Sequence, residues 1–352
     1  MPAPMLRLRF LLPLLLLAAC ACRQPVVSLP VLPDSFSVRT VQQSHVQGIA
    51  LDVEGRCFYV SFTTCLQKVD FEGNVLASVD TLYGHLGAMV FDPEARRLYA
   101  SLECKDDEIG RGVAAKLGVE AYGREESRFY IACFDVDALT GPGTPASRVL
   151  ELRLVEEATA DYGTRYGCAG IDGVAIAPRI GRRPGKPCLY VAYGIYGDTT
   201  RTDNDNQILL EYELPVPEHA SAKYFVRTGN TTYGVQNMTY DPADGNLYLA
   251  VYRGRKRQFP NHTLFAVPVR QRPRTEVPAG LGEPQAVLRL AGADGAPDGI
   301  SGWEFADAST GICAVGDGSW YNAVPEPVPG GQTCRIRRIT LNDIISAADE
   351  KD

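Results

Sequence analysis

The sequence predicts an all-β fold, a β-propeller most simply built from five four-stranded blades. A short phrase recurs five times: a glycine-flanked apolar strand, a brief turn, and a second strand centred on a tyrosine. Further strand-like segments follow each phrase. The last unit lacks an outer strand, and residues 35–39 alternate like one. Repeated small sheets are typical of radial or solenoid arrays, and pairing the first strand with the last unit removes a free sheet edge.

The five copies of the phrase define the inner pair of strands in each unit. They are 47–51 with 58–60, 88–91 with 98–100, 173–176 with 189–191, 237–240 with 247–249, and 302–305 with 312–314. The second strand of the fifth copy contains no tyrosine, so we interpret that copy as having lost it.

Extending each copy predicts the remaining strands in chain order. The first unit has strands 47–51, 57–62, 66–70 and 74–79; the second 88–91, 97–103, 129–136 and 148–154; the third 173–177, 188–194, 207–213 and 222–227; the fourth 237–241, 246–252, 262–268 and 285–290; the fifth 302–306, 311–316 and 334–340. An insertion at 104–128 contains a segment, 112–117, that predicts a short helix. If this insertion held strands instead, the alternative would be six blades.

The first twenty residues have the pattern of a lipoprotein signal peptide. A basic start with Arg7 and Arg9 precedes an apolar stretch that is too short to span a bilayer. It ends in Leu17-Ala18-Ala19-Cys20, which is similar to a bacterial lipobox, so we expect lipidation of Cys20. The alternative is an ordinary signal peptide cut near Ala21, or a weak membrane anchor.

The rest of the chain is divided into three parts. Residues 21–33 predict a tether, 34–345 a single propeller domain, and 346–352 a charged tail. We therefore expect a monomer in the bacterial cell envelope, attached to the lipid bilayer through Cys20 and facing the periplasm or the outer surface.

Charge and cysteine content limit the function classes. A net charge of −7 disfavours nucleic-acid binding, which needs a basic face. No CxxC pair occurs among the ten cysteines, so a zinc site is disfavoured. Cys313 and Cys334 could form a disulfide between neighbouring strands, and free buried thiols are the equal alternative. The serine-hydrolase elbow, the phosphate loop and the HExxH motif are also missing from the sequence.

Four short motifs give the chain a resemblance to a known group of proteins. They are Ser61-Phe62-Thr63-Thr64, Gly84-His85-Leu86-Gly87, the segment 191–196 (VAYGIY) and the segment 229–237 (GNTTYGVQN). In these motifs the chain resembles a family of exported bacterial propeller-like proteins of unassigned function, over residues 45 to 260. The resemblance implies a fold and a compartment, and no activity.

Polar residues collect at one end of the aligned repeats. The start of the first strand and the end of the second lie at the same end of an antiparallel blade, and we call the face formed by these ends the upper face. The first strands begin there with Gln47, Gly87, Asp172, Gln236 and Ser301, preceded two residues earlier by His45, His85 and three glycines. The second strands end there with Thr63, Glu103, Gly194, Tyr252 and Asp317, followed by Thr64, Lys105, Tyr196, Arg253 and Trp320. Converging polar groups in a concavity predict a binding site.

The residues of this face divide into candidate roles. The candidate catalytic residues are Glu103, Asp172, Asp317, His45 and His85. The candidate ligand-binding residues are Gln47, Thr63, Lys105, Tyr193, Tyr196, Gln236, Asn237, Arg253 and Trp320. For each of Gln47, Asp172 and Gln236, the alternative is a structural role in satisfying loop N–H groups, and for the two histidines it is the capping of a turn.

No cofactor is required by the sequence, and a divalent cation such as calcium is an open alternative. Asp203 and Asp205 offer oxygen ligands within a polar insertion at 198–207, and Asp172 is a third candidate ligand. The insertion lacks the glycine and terminal glutamate of an EF-hand, so a solvated turn is the simpler interpretation.

Three functions remain open at this stage. The first is a membrane-anchored lipoprotein that binds a polar small molecule or glycan on the upper face. The second is a hydrolase that acts there on a carbohydrate, lactone or phosphoester, with or without a metal. The third is a protein-interaction scaffold. Since propellers serve all three functions, the fold cannot choose among them.

Overall fold

Five sheets are arranged in a ring in the computed structural model, which describes residues 31–181, 186–196, 205–340 and 342–344. The chain enters with β1 (Ser35–Ser37) and forms the first blade from β2 (Val46–Asp52), β3 (Cys57–Phe62), β4 (Cys65–Asp70) and β5 (Val75–Val79). The second blade contains β6 (His85–Asp92), β7 (Arg97–Cys104), β8 (Arg128–Asp135) and β9 (Leu150–Leu154). Both sheets are antiparallel and keep the order of the sequence.

The remaining blades are less regular. The third begins with β10 (Gly170–Pro178), β11 (Pro187–Gly194), β12 (Asn206–Glu213) and β13 (Ala222–Arg227), and the fourth has β14 (Val235–Asp241), β15 (Asn246–Val251) and β16 (Leu264–Pro268). Then come β17 (Arg274–Glu276), β18 (Gln285–Leu288) and the strands of the fifth blade, β19 (Ile312–Ala314), β20 (Ser319–Val328) and β21 (Gly331–Thr340). The inner strands β2, β6, β10, β14 and β19 contact one another in sequence around the ring. The fold is a five-bladed β-propeller, as predicted.

Several short helices and turns connect the strands. They are α1 (Glu108–Leu117), α2 (Ala146–Val149) and α3 (Glu156–Asp161), with 3-10 turns at Arg124–Glu126, Ala293–Gly295, Pro297–Gly299 and Ala306–Thr310. The insertion after β7 therefore contains a helix rather than hidden strands, and α1 begins earlier than the predicted 112–117 because Asp107 caps its N-terminus. Among the described residues, no helix is long and apolar enough to cross a membrane.

The N-terminal strand closes the ring as predicted. β1 pairs antiparallel with β21, so the fifth blade has the order β1-β21-β20-β19. The closure continues past β1, where Val38 donates its N–H to the carbonyl of Cys334 at 2.9 Å. Phe36 also packs against Phe58 of the first blade, with ring centroids 5.4 Å apart. The first and last segments of the domain are therefore held together by both hydrogen bonds and apolar contacts.

The predicted outer strand of the fourth blade is wrong. Residues 285–288 form β18, which pairs in parallel with β13 of the third blade, and β17 adds to its other edge. The third blade consequently has six strands and the fourth has three. The apolar pattern of 285–290 correctly indicated a strand, but it carries no information about which neighbouring edge the strand joins.

The predicted strand arrangement of the fifth blade is also wrong. Residues 302–306 are not its inner strand, because Trp303 bridges to Leu264 at the edge of the fourth blade. The inner strand is β19 and the second is β20, which the sequence analysis missed. Pro325 and Pro327 obscured β20, because proline disfavours a central strand. The short β19 pairs only with residues 320–322 of β20. Pro325 and Pro327 lie beyond that stretch, where β20 pairs with β21 alone, so one side of the strand needs no N–H donors.

The corrected register restores the repeated tyrosine in the fifth blade. Each blade has one tyrosine at the same place in its second strand, opposite the first strand: Tyr59, Tyr99, Tyr190, Tyr248 and Tyr321. Each lies in a different one of the five apolar clusters, and each cluster fills the space between that blade and the next. The repeated tyrosine is therefore an interblade packing residue, and no copy has lost it.

All eight cysteines among the described residues are free thiols. A disulfide between Cys313 and Cys334 is excluded by the register of the fifth blade. Cys313 lies opposite Tyr321 and Cys334 opposite Pro325, so the two are separated along β20 by four residues, or about 13 Å. Cα atoms joined by a disulfide lie within about 7 Å of each other.

Candidate functional site

A β-bulge recurs at the upper end of the first strand in four blades. The pairing of first and second strands shifts between Val46 and Gly48, between Leu86 and Met89, between Ile171 and Val174, and between Val235 and Asn237. The residues Gln47, Gly87, Asp172 and Gln236 lie at these bulges, which are devices that re-aim a side chain. In the fifth blade the corrected register puts Thr310 at this position instead of the predicted Ser301.

Six polar side chains from three blades meet next to these bulges, and we call them the mouth cluster. They are His85 at the start of β6, Glu103 and Lys105 at the end of β7, Asp172 in β10, Tyr196 after β11, and Gln236 in β14. His85, Glu103, Lys105, Asp172 and Gln236 are each less than 8% exposed. Buried ionisable groups are costly unless paired, so their contacts decide their charges.

Glu103 is held as an anion by three donors. The N–H of Ile171 donates to Oε1 at 2.8 Å, Lys105 Nζ lies 2.7 Å from Oε2, and His85 Nδ1 lies 3.4 Å from the same oxygen. Burial by itself would raise the pKa of Glu103, but the charge of Lys105 and the bond to His85 outweigh it and lower that pKa.

Gly170 makes room for the Glu103 carboxylate. A Cβ at residue 170 would lie 1.7 Å from Glu103 Oε1, and the backbone φ there is +147°. Both the close approach and the conformation favour glycine.

The pKa of Asp172 is shifted in the opposite direction to that of Glu103. The Tyr196 hydroxyl and the Gln236 amide donate to its Oδ2, the latter at 3.1 Å. Burial and the neighbouring Glu103 charge raise the pKa of Asp172 to about 7. Two carboxyl groups in one site thus have pKa values shifted in opposite directions, which is the arrangement that separates an acid from an anion at neutral pH.

His85 presents a buried nitrogen that has no hydrogen-bond partner. Its Nδ1 faces Glu103, and its Nε2 is unpaired among the described residues. Burial lowers the pKa of His85, but the hydrogen bond to Glu103 and the charges of Glu103 and Asp172 outweigh burial and raise it. In the neutral ring with Nδ1 donating to Glu103, the lone pair is on Nε2, which is the arrangement of a general base oriented by a carboxylate.

Ser101 is a second buried polar group beside Asp172. Its Oγ has no partner among the described residues. A Cβ built on Gly87 would lie 2.3 Å from Ser101 Oγ and 3.2 Å from Asp172 Oδ1. Since glycine has no side chain, these two oxygens border the same small space at the second blade. The sequence analysis missed Ser101, although alignment with Ser61 in the first blade placed it at the upper end of its strand.

Lys105 supplies the fixed positive charge of the cluster. Besides Glu103 it contacts the carbonyl of Ala169 at 2.9 Å, and its Nζ lies 4.4 Å from the centre of the Tyr196 ring. Burial lowers the pKa of Lys105, but the charges of Glu103 and Asp172 outweigh burial and raise it. Lys105 therefore stays protonated and keeps Glu103 ionised.

Three side chains of the mouth cluster are of the types that bind cations. His85, Glu103 and Asp172 can each offer one ligand atom, with all three atoms within 4.8 Å of one another. Both Glu103 oxygens, however, already have partners: Lys105 Nζ lies 2.7 Å from Oε2, and the N–H of Ile171 donates to Oε1. The charge balance fits a protonated lysine better than a divalent ion. Of the other candidate ligands, Asp205 is 3.1 Å from the buried Lys256, and Asp203 lies outside the described residues.

Tyrosines border the cluster on the side of Asp172. Tyr196 and Tyr252 are 37% and 40% exposed, and the ring of Tyr233 meets that of Tyr252 edge-on at 5.6 Å. Burial of its hydroxyl and the nearby Asp172 raise the pKa of Tyr252 to about 12. Exposed aromatic faces next to polar groups suit a ligand with an apolar ring face and hydroxyl groups.

Several predicted residues reach the upper face but not the cluster. His45 is exposed, with Nδ1 3.1 Å from the Gln332 amide oxygen. Arg253 is exposed and paired with Glu304. Gln47 donates to Thr63 Oγ1 at 3.4 Å. Asn237 ties the fourth, first and fifth blades together, because its amide donates to the carbonyls of Gln47 and Ser309 at 3.0 and 2.8 Å.

Three predicted placements on the upper face are wrong. Asp317 lies in the β19–β20 turn, whose Gly316 is beside Pro242 at the opposite end of the blades, and there Asp317 bonds Arg338. Trp320 is fully buried and donates from Nε1 to Asp241 at 2.7 Å. Tyr193 is fully buried between the second and third blades, where its hydroxyl donates to Asp161 at 2.6 Å. The errors for Asp317 and Trp320 follow from the misassigned fifth blade. The error for Tyr193 arises because successive side chains along β11 point to opposite sides of the sheet, and Tyr193 points into the space between the blades.

Comparisons with known proteins identify no family. No protein-family model matches the sequence, and no curated protein is similar to it. Solved structures do resemble it, among them a luciferin-regenerating enzyme with 12% sequence identity and a TM-score of 0.39. That similarity covers 86% of this chain and 93% of the other. It is too distant to carry an activity from one protein to the other.

Proposed function

We propose that the protein is a hydrolase whose active site is the mouth cluster, acting on a hydroxylated small molecule such as a sugar or sugar lactone. One observation carries the proposal: Glu103 and Asp172 are buried side by side with their pKa values moved in opposite directions. Structural ion pairs seldom need a neutral acid beside an anion, whereas acid–base catalysis does.

The residues divide the chemistry among them as follows. His85 Nε2 accepts a proton from the attacking water, and Glu103 orients the ring and stabilises the imidazolium that forms. The water oxygen bonds to the electrophilic carbon of the substrate, the bond from that carbon to the leaving oxygen breaks, and the protonated carboxyl of Asp172 donates its proton to the leaving oxygen. The cluster gains one proton at His85 and loses one at Asp172, so its net charge is unchanged, and transfer of the proton from His85 back to Asp172 restores the starting state. Lys105 holds Glu103 in place without taking part in proton transfer, and the exposed tyrosines bind the substrate ring.

Turnover of a substrate panel by matched histidine variants tests this proposal. His85→Gln is expected to lower kcat 10²- to 10⁴-fold, the usual range for a lost general base. His45→Gln is the control, because His45 occupies the equivalent position of the first repeat but lies outside the cluster. Sugar lactones, aryl glycosides and acetylated sugars form the panel. Equal turnover in the two variants would contradict the role of His85.

Binding without catalysis is the second candidate, favoured by the internal pairing of Glu103 with Lys105 and by the exposed tyrosines. It predicts that a panel compound raises the melting temperature and is recovered chemically unchanged. Tyr252→Ala would weaken that binding. The compound would be recovered intact from the wild-type protein and from His85→Gln alike. Detection of a hydrolysed product from the wild-type protein alone decides for the enzyme.

We also propose that the chain is exported and anchored by lipid at Cys20. The support is the sequence Leu17-Ala18-Ala19-Cys20 after a short apolar stretch, a region outside the described residues. In a bacterial host, labelling with an alkyne fatty acid is expected to mark the wild-type protein and not Cys20→Ala. Cys22→Ala is the matched control and should stay labelled; equal labelling of all three would refute a specific anchor at Cys20.

A further inference from the structure

A cleft of about 450 Å³ lies at the outer strands of the third and fourth blades, and none of the residues that line it belongs to the mouth cluster. Two segments form it: the connection that follows β16, and the chain that leaves β18. Arginines line it from both sides, namely Arg272 and Arg274 from the first segment and Arg289 from the second. We call it the arginine cleft. Its basic lining contrasts with a chain whose net charge is −7.

Local structure brings the three guanidinium groups to one place. Arg272 and Arg274 are separated only by Pro273, and both line the cleft. Gln271 positions the third. Its Nε2 donates to the carbonyl of Arg289 and its Oε1 accepts the N–H of Arg289, both at 2.8 Å. One side chain therefore fastens the main chain of Arg289 beside the other two arginines.

The positive charge in the cleft is only partly balanced. Arg289 is 2.5 Å from Asp294, whose side chain is 87% exposed, and Asp294 is the only acid in the lining. Within the described part of the chain, neither Arg272 nor Arg274 forms an ion pair with a carboxylate. Gathering like charges costs free energy, and a bound anion offsets that cost.

We propose that the arginine cleft binds a phosphate group. Guanidinium groups match phosphate oxygens with paired N–H donors, and two unbalanced arginines match the charge of a phosphate dianion. The cleft is larger than a phosphate ion, so it leaves room for the group to which the phosphate is attached. The phosphate could belong to a soluble metabolite or to a lipid headgroup, because both present the same chemistry.

Titration of the full chain with inorganic pyrophosphate by calorimetry tests the site. Arg272→Gln/Arg274→Gln is expected to weaken binding at least tenfold, and binding by the wild-type protein should weaken as sodium chloride is raised. Arg148→Gln, an exposed arginine outside the cleft, should leave the affinity unchanged. Equal affinities in the double variant and the wild type would overturn the proposal.

Two further variants separate recognition from bulk charge and from misfolding. Arg274→Lys keeps the charge but loses the paired donors, so weaker binding at an unchanged melting temperature supports the cleft. Gln271→Leu frees the main chain of Arg289 without removing any arginine, and it should also weaken binding. If only total charge matters, Arg274→Lys and Gln271→Leu will bind like the wild type and the proposal fails.

Vesicle sedimentation distinguishes the sources of the phosphate. Vesicles of phosphatidylcholine with phosphatidic acid, whose headgroup is a monoester phosphate, are compared with vesicles of phosphatidylcholine alone, using protein with Cys20→Ala so that no lipid anchor contributes. Retention on the anionic vesicles that is lost in the double variant assigns the site to a headgroup. Pyrophosphate binding without retention assigns it to a soluble ligand, and absence of both refutes the site.

Discussion

Asp172 is the residue whose surroundings matter most for the proposed catalysis. It accepts hydrogen bonds from Tyr196 and Gln236 on one oxygen and faces the Glu103 charge within a buried site. Neither burial nor the nearby charge can be inferred from an aspartate at the start of a strand. The aligned repeats did indicate that Asp172 and Glu103 lie at the same end of their blades, which proved sufficient to name both.

Stability should depend on pH through Asp172. Its pKa rises from 3.8 to about 7 on folding, so the folded chain binds this proton more tightly than the unfolded chain. The resulting stabilisation is present at low pH and is lost as pH rises through about 7; its upper bound is about 4 kcal/mol. Asp172→Asn keeps an acceptor for Tyr196 and Gln236 but cannot ionise. The difference in the free energy of unfolding between Asp172→Asn and the wild type should therefore shift in favour of the variant when the pH is raised from 5 to 8.

Urea unfolding at the two pH values measures this difference. Asp80→Asn, an exposed aspartate outside the mouth cluster, is the control and should show no such dependence. If Asp172→Asn differs from the wild type by the same free energy at pH 5 and pH 8, Asp172 does not hold a proton at neutral pH.

At the scale of elements, ring closure depends on three residues of β1 and the segment after them. Phe36 contacts Phe58 across the blade boundary, and Thr333 donates from its hydroxyl to the carbonyl of Val38. The strand was predictable because Ser35-Phe36-Ser37-Val38 alternates and the fifth blade needed an outer strand. The outer edges of the third and fourth blades were not predictable, since β18 could join either edge by its own pattern.

Truncation of the closing strand should destabilise the whole ring. Phe36→Ala removes a half-buried ring between the fifth and first blades, and we expect a loss of about 2 kcal/mol in the free energy of unfolding. Ser35→Ala, an exposed position in the same strand, is the control and should change stability by less than about 0.5 kcal/mol. Denaturation by urea followed by circular dichroism gives both values; identical midpoints would show that β1 adds nothing to closure.

At the scale of the molecule, four of the five interblade clusters bury six of the eight described cysteines. Cys57 and Cys334 are 0% exposed, and burial raises the pKa of their thiols to about 11 and about 12. A thiol with such a pKa is protonated and poorly nucleophilic at neutral pH. The sequence left disulfide and thiol as equal alternatives, and the register of the fifth blade decides for the thiol.

Alkylation of the native and the unfolded protein checks this arrangement. Peptides containing Cys57, Cys65, Cys133, Cys188 and Cys334 are expected to be unmodified after brief treatment of the native chain and fully modified in denaturant. Mass spectrometry of the digest reports each site separately. Recovery of any two of these peptides as a disulfide-linked pair would contradict the structure.

The sequence by itself determined the five-fold repeat, the closing strand and the end of the blades at which His85, Glu103, Asp172 and Gln236 gather. These follow from strand alternation and antiparallel pairing, which are local rules. Tertiary structure decided the rest: that β18 joins the third blade, that Asp317 and Trp320 lie away from the upper face, and that His85 belongs to the cluster while His45 does not. The physical reason is that register, burial and charge balance arise between blades. A pattern within one blade does not contain them.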